Sequence, residues 1–299
     1  DPFVEKAYYY EGVAALELFN EDAISLLEAY TVRYPENIHN AGISFKIGNY
    51  FFQKEDFENA ALWYKKTRLD ELENDRKDEL LFKHGYSAYQ LNDRLTALNT
   101  FRDVKDGKTQ YASPSLYFYS HLNYLAGALQ VALEGFEKLK TNEAFSGVVP
   151  YYIIQIYHKQ GLFQDVVDYA PTVLDSSSLS DVSDVYHLLG DAHYKLNQFK
   201  DAAKYLEIYY QKAQTTREDD YQIAYSLFRN EEYEKAIKYF DRVARVDDSL
   251  GNCFGLIAVF RSINVNLNEF FGTFAVSRYL FGERQRNFVQ RLLKCEKVN

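Results

Sequence analysis

A period of 34 to 37 residues constrains this chain more than any other feature. In the stretch YHLLGDAHYKLNQFKDAAKYL, Tyr186 to Leu206, Gly190 and Ala202 stand twelve residues apart, with Phe199 before Ala202 and Leu206 one turn after it. Apolar residues at helical spacing on both sides of a polar break read as two short helices and a turn. Small residues on the facing sides let the two backbones approach closely, and Phe199 and Leu206 fill the space around the contact. The same set recurs as Gly48, Phe57, Ala60 and Tyr64; as Gly85, Ala97 and Phe101; and as Ser120, Leu129, Ala132 and Phe136. It recurs again as Phe163, Val166 and Ala170, with Ile154 in the glycine slot, and as Ala224, Tyr233, Ala236 and Phe240. The first unit offers Ala23, Leu27 and a closing Pro35. Gly12 fills its glycine slot only if one residue is missing near Asn20, where the pattern asks for a large apolar side chain.

Anchors at 23, 60, 97, 132, 166, 202 and 236 make seven units over residues 1–245. Small residues and aromatics at these offsets resemble the tetratricopeptide repeat. The resemblance implies an all-α solenoid, a right-handed superhelix of helical hairpins in which each unit touches only its neighbours. From Asp247 onward the apolar period continues without a clean anchor set. Residues 246–299 are expected to hold a divergent C-terminal repeat and a capping helix, because a solenoid must cover its last apolar face. Pro114, Pro150 and Pro171 are expected near helix starts. The acidic run ELENDRKDE reads as a solvated helix end or linker. The Ser and Asp residues of DSSSLSDVSD, 175–184, read as helix N-caps.

The net charge of −9, with both signs interspersed, leaves no basic patch to hold a phosphate backbone, so no nucleic-acid partner is expected. Cys253 and Cys295 are too few for a disulfide framework. The longest apolar runs are shorter than a membrane span, so any membrane association is expected to be indirect. The six His residues form no HExxH and no zinc spacing with Cys. No phosphate-binding glycine loop and no GxSxG elbow occur. The expectation is a protein without catalytic residues, metal or cofactor.

Binding has a clearer signature. In tetratricopeptide repeats the first helix of each hairpin lines the concave groove. Projecting the family's slots onto this chain assigns partner-binding positions to Phe45, Asn49, Phe52, Tyr86, Tyr89, Tyr117, His121, Tyr124, Tyr151, Gln155, Tyr194 and Tyr225. The same slots also hold Phe82, His158, His187, Asp191, Tyr221 and Phe228. The column is aromatic, and Tyr offers area and a hydrogen bond at low entropy cost. The competing reading is that many of these rings pack against the neighbouring unit. Phe45 and Phe82 stand where the family's chaperone-tail clamps carry polar or basic residues, which argues against that subtype.

The phrases DPFVEKAYYYEGVAALEL, PENIHN, FKIGNYFFQKEDFENAALWYKKT and ALEGFEKLK are similar to long tetratricopeptide proteins of the Bacteroidetes cell envelope, which look like the repeat part of a Tol–Pal-associated coordinator. That resemblance implies a scaffold in the periplasm or cell envelope, with a protein or peptide ligand. The alternative is a glycan-binding envelope protein on the same platform. It is weakened by the single Trp, Trp63, which lies on a second helix, and by the lack of long loops between units.

Overall fold

The computed structural model describes residues 2–35, 37, 39–175 and 182–243. The C-terminal segment expected to hold a divergent repeat and cap lies outside them. Among the described residues there are fourteen α-helices and no strand. They pair in chain order into seven hairpins. The first four are α1 (Pro2–Glu17) with α2 (Ala23–Arg33), α3 (Asn40–Gln53) with α4 (Phe57–Lys66), α5 (Asn74–Gln90) with α6 (Arg94–Val104), and α7 (Ala112–Leu125) with α8 (Leu129–Leu139). They form one compact unit, residues 1–145. The others are α9 (Val149–Lys159) with α10 (Phe163–Asp175), α11 (Ser183–Lys195) with α12 (Phe199–Lys212), and α13 (Arg217–Arg229) with α14 (Tyr233–Val243), in a second compact unit, residues 146–299.

All seven anchors lie on second helices with no accessible surface: Ala23, Ala60, Ala97, Ala132, Val166, Ala202 and Ala236. Gly12, Gly48, Gly85 and Gly190 face them from the first helices. A Cβ on Gly48 would meet the Tyr64 ring at 2.7 Å, and one on Gly12 would meet Leu27 Cδ2 at 2.7 Å. The helices therefore touch at the small residues. In the fourth hairpin the roles are exchanged: Gly135, on the second helix, makes room for Ser120.

One turn closes every hairpin. Phe19, Glu55, Asn92, Gly127, Gly161, Asn197 and Glu231 all have positive φ, between 56° and 79°. The next residue returns its N–H to a carbonyl five residues back, as Asp56 does to Phe51 and Gln198 to His193, which ends the first helix as a Schellman turn. Asp56 and Asp93 then cap the following helix, accepting from the N–H of Asn59 and Thr96.

The first turn is one residue short. Ala60, Ala97, Ala132 and Ala202 bond back four residues, to Asp56, Asp93, Ala128 and Gln198, whereas Ala23 bonds back three, to Asn20. The large apolar residue that opens the other second helices, α6 with its Arg94 excepted, has no counterpart here, yet Gly12 still reaches Leu27.

Two local expectations need correcting. Pro171 lies inside α10, not at a helix start. The buried Val166, Ala170 and Val173 hold the helix through the amide that proline lacks. The residue preceding α11 is Val182, which has no side chain to cap it, and Asp184 falls in the first turn; residues 176–181 lie outside the described set. The ELENDRKDE run is, as expected, a link and solvated helix end: α5 begins at Asn74 with Glu73 to Arg76 exposed, and Glu79 one turn on pairs with Lys83 at 2.6 Å. Pro150 does open α9, and Pro114 lies in the first turn of α7.

Candidate binding face

In residues 1–145 the candidate face is built on α3, α5 and α7. Phe45 is only 4% exposed, packed with Tyr64, Leu72 and Leu80, so it offers a ligand almost no surface. Asn49 is half-buried, and its Oδ1 accepts from the Tyr64 hydroxyl at 2.8 Å and from Lys83 Nζ at 3.0 Å. Beside it opens a cleft of about 210 Å³ whose lining includes Lys46, Gln53, Arg76 and Glu79. Phe52 meets Tyr86 edge to face at 5.7 Å, and Tyr86 meets Phe118 likewise at 5.5 Å. Phe82 is enclosed by Phe101, Tyr111 and Phe118.

Farther along the same helices four half-buried rings form a file. The Tyr89 hydroxyl lies 3.3 Å from His121 Nδ1. His121 lies parallel to Tyr117, with centroids 6.1 Å apart and planes 3° apart. Tyr117 stacks on Phe145 at 5.2 Å. Phe118 supports the file from below, 5.1 Å from Tyr89 and stacked on Phe101 at 5.2 Å. Burial lowers the His121 pKa, so the imidazole is neutral at pH 7 and its bare nitrogen can accept the Tyr89 proton. Tyr124, also half-buried, follows His121 by three residues on the same helix face.

In the second unit α9, α11 and α13 carry the equivalent face, where carboxylates, imidazoles and an amide stand among the rings. The Tyr151 hydroxyl donates to Asp184 Oδ2 at 2.7 Å. Asp191 receives His158 Nε2 at 2.7 Å on one oxygen and Gln222 Nε2 at 2.7 Å on the other. His187 Nε2 reaches Asp219 Oδ1 at 2.9 Å while its ring stacks on Tyr209 at 4.5 Å. Burial pushes the Asp191 carboxyl up, but hydrogen bonds from His158 and Gln222 and the charge of Lys195 outweigh it and hold the group below its ordinary range. Tyr194 and Tyr225 meet edge to face at 5.9 Å and share Phe199, over which Arg229 lies at 4.4 Å. Tyr221 stacks on Tyr225, Gln155 is half-buried, and Phe228 is 7% exposed.

The links between first helices share offsets. Counted from each glycine slot, position +4 meets +1 of the next first helix in Tyr89–His121 and again in His158–Asp191. Position +1 meets −2 of the next in Asn49–Lys83 and again in Asp191–Gln222. Sequence reading missed Phe118, Phe145, Lys83, Asp184, Asp219 and Gln222. The recurring offsets of 31 to 34 residues were the signal that could have found the polar members of this set. Among the described residues no group of three or more His, Cys, Asp or Glu side chains is placed to hold a metal ion.

A protein-family model described as anaphase-promoting complex, cyclosome, subunit 3 (ANAPC3) matches residues 195–260. The hairpin packing and this match agree on the repeat type. The described residues fold as an array of helical hairpins of the tetratricopeptide type. No curated protein matches the chain. Solved structures similar to the array include a tetratricopeptide repeat protein from Parabacteroides merdae, 14% identical over 85% of this chain and 98% of that one, with a TM-score of 0.47. The Cut9–Hcn1 hetero-tetramer of the APC/C is 13% identical over 86% of this chain and 50% of the other, with a TM-score of 0.42. Pseudomonas aeruginosa pilF is 16% identical over 81% and 91%, with a TM-score of 0.33. The repeat assignment stands on the chain's own packing and the family match. No helix among the described residues is long and apolar enough to cross a membrane.

Proposed function

We propose that this tetratricopeptide array is a non-enzymatic scaffold that holds a protein or peptide ligand along its first helices. The observation that carries the reading is the file Tyr89, His121, Tyr117 and Phe145, half-buried and held by stacking and one hydrogen bond. Rings fixed in this way lose little entropy on binding and present apolar area beside hydroxyl and imidazole edges, the composition of protein-interface anchors. Tyr124 and the cleft beside Asn49 extend the face within the same unit. Tyr151, Gln155, Tyr194 and Tyr225 supply its counterpart in the second unit. The scaffold belongs, in this reading, to the periplasm or cell envelope, on the sequence resemblance to Bacteroidetes envelope proteins.

A pull-down from the source organism with the wild-type chain and with Tyr117→Ala tests the proposal. A protein retained by the wild type and lost by the variant at unchanged melting temperature supports it; retention by both removes this face from consideration. Flat ring faces also stack on sugars, and Trp63 is less suited to that because Lys66 lies 3.9 Å over its ring. Calorimetry against a panel of oligosaccharides separates the readings, since clear heat with one sugar class would put the glycan alternative first.

A further inference from the structure

Positions two, five and six residues after its anchor face away from the hairpin contact on each second helix, since each residue advances about 100° around the axis. In every other second helix among the described residues this set holds a carboxylate: Glu28 in α2, Asp103 in α6, Glu134 in α8, Asp168 in α10, Glu207 in α12 and Asp241 in α14. In α4 the set is Leu62, Lys65 and Lys66, all exposed, Leu62 by 57%. Neither lysine is ion-paired among the described residues, and Lys66 Nζ lies 3.9 Å over the half-buried Trp63 ring. Past the helix, Arg68 pairs with Asp70 at 3.5 Å and Leu69 is 38% exposed. Trp63 packs on the cluster of Leu27 and Tyr30, so α2 runs beside α4. Val32, nine residues after Ala23 and 82% exposed, faces the same way from α2. A helix C-terminus favours lysines by itself, and a lone exposed leucine is ordinary. Neither accounts for three exposed apolar side chains around a carboxylate-free pair of lysines on a chain of net charge −9.

We propose that the outward face of α4, with the end of α2 beside it, is a membrane-contact surface that rests on anionic lipid headgroups. Leu62, Leu69 and Val32 supply apolar side chains for the boundary between headgroups and acyl chains. Lys65 and Lys66 reach lipid phosphate while their stems cover apolar surface, and Trp63 is the kind of ring that collects at this level. Glu58, exposed one turn before Leu62, marks the far border of the face. The apolar part favours a lipid surface over a soluble acidic partner, which would satisfy the lysines alone. Few charges and few apolar side chains make the contact reversible and dependent on ionic strength. The surface lies on the side of the hairpin away from the first helices, so the array can rest on a membrane and still hold a ligand on those helices.

Trp63 is the sole tryptophan, so its emission reports contact on the whole chain without a label. Vesicles of phosphatidylcholine, alone or with about one-third phosphatidylglycerol, are the probe. The expected result is co-sedimentation with the mixed vesicles and a blue shift of the emission, both absent with phosphatidylcholine alone and reversed by about 0.5 M salt. Lys65→Gln with Lys66→Gln weakens the association about tenfold or more, and Leu62→Gln weakens it about threefold. Melting temperature stays nearly unchanged in both, because these side chains face solvent. Lys200→Gln with Lys204→Gln, which removes the same charge from exposed positions in the second unit, leaves the association as it was. No association with the mixed vesicles, equal association with neutral ones, or a Lys65 and Lys66 variant that binds like wild type overturns the proposal. Heat with a polyglutamate peptide and none with the mixed vesicles would give the patch to an acidic protein and overturn it as well.

Discussion

A Cβ on Gly190 would lie 2.6 Å from Leu206 Cγ and 3.1 Å from the Leu206 backbone nitrogen. The side chain could rotate away, but the nitrogen is fixed in α12, so the methyl forces the hairpin apart. Gly190→Ala is expected to lower stability by about 1–3 kcal/mol as an overpacked contact, despite the better helix propensity of Ala. Ala202→Leu acts on the same contact in the same direction. Gly42 is the control: it lies in α3, and a methyl group there would meet nothing within 4 Å, so Gly42→Ala should raise stability by up to about 1 kcal/mol. Denaturant unfolding of the three variants checks the sign as well as the size.

The ring file separates a binding role from a packing role. Tyr89→Ala and Tyr124→Ala should weaken partner binding by about 2 kcal/mol if the rings are ligand anchors. If they serve packing alone, stability falls by about 3–5 kcal/mol and affinity per folded molecule stays constant. Tyr89→Phe, which keeps the ring on Phe118 and loses the His121 bond, isolates the polar part. Melting temperature and affinity measured together decide.

Asp191 ties α11 to His158 on α9 and Gln222 on α13. Asp191→Ala leaves both without their acceptor and should cost about 3 kcal/mol. Because its folded pKa is depressed, the carboxylate contributes stability that is present above the ordinary carboxylate range and lost as pH falls through it. Asp191→Asn should therefore be less stable at pH 7 and should have a shallower loss of stability below about pH 4. An unchanged acid limb would show that other carboxylates dominate it.

Burial lowers the pKa of His84, with Lys65 adding to it and Asp93 opposing, and burial alone lowers that of His121. The unfolded chain binds these protons more readily, near the ordinary value of 6.5, so stability rises with pH across the interval below it. Melting temperature should fall between pH 7.5 and 5, and His84→Gln should flatten that slope. A slope identical to wild type would remove His84 from the account.

The hairpins were legible because their determinants are local. A glycine or alanine at a fixed offset, a ring one turn on and a polar turn between them all lie within about 20 residues, and close helix approach depends on them directly. The short first turn was legible for the same reason, from the spacing of Gly12 and Ala23. Which of the aromatic residues face a ligand was not. Phe45 and Tyr117 both stand three residues before their glycine slot, but one closes the core around Tyr64 and the other lies half-buried against Phe145, because what each ring meets depends on the elements packed beside it. Pro171 was misplaced because its local preference yields to the burial of Val166, Ala170 and Val173. Sequence by itself determined the repeat and its contacts within each hairpin. Only the tertiary structure decided the contacts between hairpins, since these depend on how two separately folded helix pairs are rotated against each other.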